Sequence, residues 1–137
     1  MIFEGKVQLI DRKKLSDSRG WFFKIMHGKE DNLSQELGEI YTTRAIPGGF
    51  RANHYHKVAS EWFTVIEGTA KVIVEDIHTK ERQEFELSGK NPQTLYCAPE
   101  IAHVFYNPED SEEDFILIAY ADKQYDPADT ILYNLVG

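Results

Sequence analysis

An all-β fold, a sandwich or a small barrel, is predicted for this chain by three observations. Short runs rich in β-branched and aromatic residues recur along nearly its whole length. Clusters of Gly, Pro, Asn, Asp and Ser separate those runs at fairly even intervals, which is how strands joined by tight turns read. Only Asp31 to Leu37 has the pattern of a helical turn, and no internal repeat stands out.

Taken in order, the runs are Phe3 to Ile10, Gly20 to Met26 behind the turn Asp17-Ser18-Arg19-Gly20, and Glu39 to Ile46, which Pro47-Gly48-Gly49 ends. Arg51 to His56 and Glu61 to Ile66 follow, then Thr69 to Glu75 after Glu67-Gly68. His78-Thr79-Lys80 leads to Arg82 to Leu87, and Ser88-Gly89-Lys90-Asn91-Pro92 to Gln93 to Cys97. Ala102 to Tyr106, Asp114 to Tyr120 and Thr130 to Leu135 complete the set, with Asn107-Pro108-Glu109-Asp110 as the turn after the first of them.

At 137 residues the chain suits a single domain over residues 1–137 with a core of its own, and no linker is assigned. A formal charge of −8 with no basic stripe argues against nucleic acid or an anionic membrane as the partner, so an anionic ligand must be held by local cations. The N-terminus Met-Ile-Phe-Glu-Gly-Lys does not read as a signal peptide, and no apolar run approaches the ~18 residues of a membrane span. A cytoplasmic location is expected. The single Cys97 excludes an internal disulfide, fits a reducing compartment and reads as a buried strand thiol.

The chemistry concentrates between Gly48 and Gly68. If Arg51 to Lys57 is extended, side chains alternate, so His54 and His56 point the same way two residues apart. Glu61, entering the next strand, can add a carboxylate oxygen, and His103 can supply a third imidazole. His27 and His78 lie in charged turns and read as solvated. Trp62 is out of phase with Glu61 and Phe63 and is expected to cover an outer sheet or an oligomer contact.

Gly48, His54, His56, Glu61 and Gly68 fill every fixed position of the first cupin motif: glycine, five residues, His-x-His, four residues, Glu, six residues, Gly. His103 and Asn107 keep the spacing of the second, while its glycine is replaced by Glu100 or Ile101. The chain thus resembles the cupins, and the resemblance implies a double-stranded β-helix, the cupin jelly-roll barrel. Three further stretches resemble the dTDP-4-dehydrorhamnose 3,5-epimerases in order: Ser18-Arg19-Gly20-Trp21-Phe22-Phe23, Arg51-Ala52-Asn53-His54-Tyr55, and Tyr120-Ala121-Asp122-Lys123-Gln124-Tyr125-Asp126-Pro127. That likeness implies substrate contacts from Arg19, Phe22 or Phe23 and Arg51, with His54 as the base. The family's catalytic lysine is replaced by Glu61 and its tyrosine by Ala119, with Tyr120 alongside. Asn53-His54-Tyr55-His56-Lys57 with Glu61 and His103 instead resembles the zinc-binding cupin half of bifunctional capsule-sugar enzymes, and also the Arg-Gly-x-His-Ala-His-Lys of sugar 3,4-ketoisomerases.

These relatives imply an isomerase, an epimerase or 3,4-ketoisomerase, acting on a nucleotide-linked 4-keto-6-deoxy sugar in surface polysaccharide biosynthesis. Such chemistry needs a base beside the carbon and positive charge near the enolate oxygen. His54 is the candidate base where no metal engages it, Tyr55, Tyr106 or Tyr120 would relay protons where a metal polarises the keto oxygen, and Lys57 or Arg44 can reach a diphosphate beside Arg51. One arrangement places a divalent metal, zinc first, on His54, His56, Glu61 and His103; the other is metal-free, with Glu61 or His103 orienting His54. A non-catalytic sugar-binding or regulatory cupin and a metal-dependent cupin oxygenase are the alternatives. A homodimer is expected, because the apolar strand Val7-Gln8-Leu9-Ile10 offers an edge that needs covering.

Overall fold

Two five-stranded antiparallel sheets face one another in the computed structural model, which describes residues 2–136. The first has strand order β1-β9-β6-β11-β4, the second β12-β5-β10-β7-β8. Their ranges are β1 Val7–Asp11, β4 Glu39–Ala45, β5 Phe50–His56, β6 Glu61–Glu67, β7 Thr69–Asp76 and β8 Arg82–Ser88. They continue with β9 Gln93–Cys97, β10 Ile101–Tyr106, β11 Phe115–Ala121 and β12 Thr130–Leu132. Residues alternate between inner and outer faces, and the inner set closes the core: Phe63, Val65, Leu95 and Leu117 from one sheet meet Val72, Val74, Leu87 and Phe105 from the other. This is the cupin jelly-roll expected from the sequence.

The departures have local causes. Phe3 to Ile10 is not one strand: Ile2–Gly5 forms a 3-10 turn in which Phe3, Glu4 and Gly5 take positive φ, and Phe3 folds into the core. Gly20 to Met26 stops at Phe22 and forms β3 (Gly20–Phe22), paired with β2 (Leu15–Asp17), a strand absent from the sequence reading. Asp31 to Leu37 is not helical. A segment that short is marginal as a helix, and here the Ser34 and Glu36 carbonyls accept the Tyr120 hydroxyl from outside. Thr130 to Leu135 is a strand only to Leu132, because the tail then turns onto Asn53: the Tyr133 and Leu135 N–H groups donate to its backbone and side-chain oxygens at 3.0 and 2.7 Å.

Asn53 belongs to a bulge that bears on the site. Ala52 and Asn53 both have positive φ, 72° and 69°, and the β10–β5 register slips there, so that His103 faces His54 while Val104 faces Ala52. The simple alternation expected from Arg51 to His56 is therefore broken. The bulge lets Arg51 and Ala52 join His54 and His56 on the cavity wall, while Asn53 is buried among its partners in the tail.

Gly68 shows why the motif's last glycine is fixed. At the β6–β7 turn it has φ +74°, and a Cβ there would stand 2.2 Å from the Asp114 carbonyl oxygen. Gly68→Ala is expected to cost about 2–4 kcal/mol, adding left-handed strain to backbone crowding. An unfolding midpoint in urea equal to that of the unsubstituted protein would contradict this.

Candidate active site

Strands β5, β6 and β10 bring His54, His56, Glu61 and His103 together, with one ligand atom from each lying within 4.8 Å of all the others. The register explains it: His103 pairs with His54 across β10–β5, and Glu61 enters at the inward start of β6. The imidazole centroids are 4.8 Å apart for His54–His56, 5.0 Å for His54–His103 and 5.9 Å for His56–His103. Glu61 and His103 are buried, at 3% and 1% exposure. His54, His56 and Glu61 line a cavity of about 410 Å³, together with Arg51, Tyr41, Lys123 and Asp129.

His56 Nε2 stands 2.7 Å and His103 Nε2 3.5 Å from Glu61 Oε1. Close as they are, none of these three buried atoms has a hydrogen bond of acceptable angle. Donor atoms that crowd one point without bonding each other are what a cation site requires. The residues fit a divalent ion, zinc first, since imidazoles and one carboxylate are its ordinary ligands.

Partners set each group differently. The His103 Nδ1 lies 3.0 Å from the Ile101 carbonyl, which fixes the proton there and leaves Nε2 to face inward. Tyr41 donates to Glu61 Oε2 at 2.8 Å, so only Oε1 is left toward the histidines. Burial, then the neighbouring His103 and His56, push His54 down to about 3, so its ring is neutral near pH 7. Burial opposes charge on His56, but Glu61, with Asp129 behind, outweighs it and raises that pKa. Burial also works against ionising Glu61, yet the His103 and His56 rings close to it hold its carboxyl well below the usual range. The Tyr41 phenol is raised, by burial first and then by Glu61. Among the described residues His54 alone of the three histidines has neither a hydrogen bond nor an ion pair.

The other site expectations separate into two groups. Arg51 lines the cavity. Tyr55, on the outer face of β5, packs against Tyr133; Tyr106 joins the outer cluster of Ile73, Ala102, Val104 and Leu135. Tyr120 faces outward from β11, stacking 5.0 Å from Trp62, because its neighbours Ala119 and Ala121 hold the inward positions. Lys57 is exposed in the turn after β5. Arg19, Phe22 and Phe23 sit on or beside the exposed β2–β3 hairpin, with Arg19 paired to Asp17 at 2.8 Å and Phe23 stacked on Trp21. None of these seven lines the cavity. Trp62 is buried under Tyr96 and Tyr120 on the outer face of the first sheet, and Cys97 is a buried thiol.

Tyr41 and Asp129 are among the cavity residues that the sequence did not single out, as are Lys123 and Tyr125. Tyr41 pairs directly with Ala119 across β11–β4, so a phenol stands beside the very position where the resemblance expected a tyrosine. Asp129 comes from the loop before β12 and has no motif around it. Strand-to-strand register, which a single sequence does not display, is the signal that would have found Tyr41.

The family described as the polysaccharide biosynthesis C-terminal domain matches residues 15–133. The chain belongs to that family. It is 30% identical over 95 residues to the spore coat polysaccharide biosynthesis protein SpsL of Bacillus subtilis, covering 66% of this chain and 62% of that protein. It is 26% identical over 111 residues to the UDP-2-acetamido-2,6-beta-L-arabino-hexul-4-ose reductase of Pseudomonas aeruginosa, 81% of this chain but only 28% of that one. The family member thus spans less than two thirds of either curated relative. Its fold matches a double mutant of the QdtA 3,4-ketoisomerase of Thermoanaerobacterium thermosaccharolyticum, solved with TDP, at a TM-score of 0.76 and 24% identity over 96% of this chain and 88% of that one. No helix among the described residues is long and apolar enough to cross a membrane.

Proposed function

We propose that this chain is an isomerase of a nucleotide-linked 4-keto-6-deoxy sugar, an epimerase or a 3,4-ketoisomerase, in surface polysaccharide biosynthesis. One observation carries the reading: His54, His56 and Glu61 share a single cavity with Arg51. Proton abstraction beside a ketone needs an unprotonated base aimed into the cavity, and His54, which lines it without a hydrogen-bond partner among the described residues, is the candidate. Tyr41 and Tyr125 both line the cavity, and the Tyr41 hydroxyl, bonded to Glu61, is the candidate to return a proton in place of the outward-facing Tyr55 and Tyr120. The planar fork of Arg51 matches a diphosphate, and Lys123 at the same cavity adds a second cation. In the alternative arrangement a divalent ion held by His54, His56, Glu61 and His103 would supply Lewis-acid polarisation of the keto oxygen, and His54, its lone pair then engaged, would not be the base.

A homodimer is part of this reading. On the β2–β3 hairpin Leu15, Trp21 and Phe22 are 52%, 50% and 58% exposed, and an isolated two-stranded hairpin is marginal in water unless something covers it. Covering by a second copy is also how Arg19, Phe22 and Phe23 would approach a substrate. Light scattering at micromolar concentration is expected to give twice the chain mass, and a monomer mass would contradict the dimer. A cytoplasmic, reducing compartment suits the single free thiol of Cys97.

The test is conversion of TDP- and UDP-linked 4-keto-6-deoxy sugars, followed by NMR. A new stereoisomer or a shifted keto group is expected. Tight binding of every such sugar without conversion would make the chain a binding module, and oxygen uptake with added iron would make it an oxygenase.

A further inference from the structure

Asp129 stands on the far side of His56 from Glu61, and its carboxylate is already fixed in place. Oδ1 accepts the Val58 N–H at 2.7 Å and Oδ2 the Ala59 N–H at 3.3 Å, while the Asp129 carbonyl accepts the Lys57 N–H at 3.1 Å. The turn between β5 and β6 is thereby clamped to the loop before β12. Two oxygens face the His56 Nδ1 edge: Asp129 Oδ2 at 3.6 Å and Thr130 Oγ1 at 3.4 Å. The Thr130 hydroxyl has a donor route of its own, to the Asp126 carbonyl at 3.3 Å, so its lone pairs are available to Nδ1. Thr130 pairs with His56 in the β12–β5 ladder, which fixes both oxygens relative to the ring. On the opposite edge, Nε2 meets Glu61 at 2.7 Å.

We infer that Asp129, with Thr130, is a positioning residue for His56, holding the ring proton on Nδ1 so that Nε2 presents its lone pair to the His54–Glu61–His103 centre. An imidazole bound at one nitrogen is oriented by an acceptor at the other, and a carboxylate also strengthens it as a ligand. The Ile101 carbonyl does this for His103. Nothing among the described residues does it for His54. Two histidines are thus locked with Nε2 inward while the third has no such partner among the described residues, a difference that deepens the proposed isomerase site and rests on it.

Asp129→Asn is the test, because its carbonyl can still accept from Val58 while the anionic acceptor for Nδ1 is lost. Long-range proton–nitrogen spectra of the histidine rings, with and without zinc, report the tautomers, and competition with a chromophoric chelator reports zinc affinity. The unsubstituted protein is expected to carry the His56 proton on Nδ1. The variant is expected to shift the His56 ring signals, leave those of His103 in place and bind zinc about 10–100-fold more weakly. His56 signals and zinc affinity unchanged in the variant would overturn the inference. So would a zinc-loaded unsubstituted protein with no proton on His56 Nδ1, an outcome that does not depend on the variant folding. Failure to convert any keto sugar would count against the proposed function, and the ring spectra would still decide the part played by Asp129.

Discussion

Replacing His54 with asparagine is expected to lower turnover of a 4-keto nucleotide sugar by about 10²–10⁴-fold, the ordinary contribution of a positioned base. Asparagine keeps a polar group of similar size on the cavity wall, so the barrel should unfold at an unchanged midpoint. The expectation follows from placement: His54 faces the cavity, is neutral near pH 7, and has no hydrogen bond or ion pair among the described residues to hold its proton elsewhere. Chelator competition on the same variant divides two roles. Lost turnover with zinc affinity retained assigns His54 to proton transfer, whereas a parallel loss of both assigns it to metal. Turnover within twofold of the unsubstituted protein would remove His54 from the chemistry.

Glu61→Gln is expected to lower zinc affinity by more than about 100-fold, beyond the range of changes made outside the ligand shell. The carboxylate supplies the only anionic donor in the four-residue cluster, and glutamine leaves three histidines around a neutral amide. Folding should persist, because the same strand is held by Phe63 and Val65, at 1% and 0% exposure. Excess zinc should restore part of the activity. In the metal-free arrangement the same substitution would lower turnover while EDTA left the unsubstituted protein at full rate, so the chelator experiment separates the two.

Much of this was legible because periodicity and spacing are local. The alternation of His54 and His56, the start of the next strand at Glu61 and the bounds of Gln93–Cys97 all follow from the identities of near neighbours. What was not legible depends on contacts distant in sequence. The Ala52–Asn53 bulge arises from β10 and from a tail some eighty residues away, with Leu135 bonding to Asn53. Tyr41 reaches Glu61 because Ala119 and Ala121 leave space on the strand between them. Asp31 to Leu37 has helix-like residues, but its carbonyls are claimed by Tyr120. Tyr55 and Tyr120 belong to the right strands and face away from the cavity, which pattern alone leaves open until register is known.

The most direct measurement is solvent exchange. Protein incubated in deuterated water with a TDP- or UDP-linked 4-keto-6-deoxy sugar is expected to introduce deuterium at the carbon next to the keto group, carbon 3 or carbon 5, and the His54→Asn variant to introduce it at least about 100-fold more slowly. Binding of the sugar with no deuterium in either position would contradict the assignment of this cavity to proton transfer.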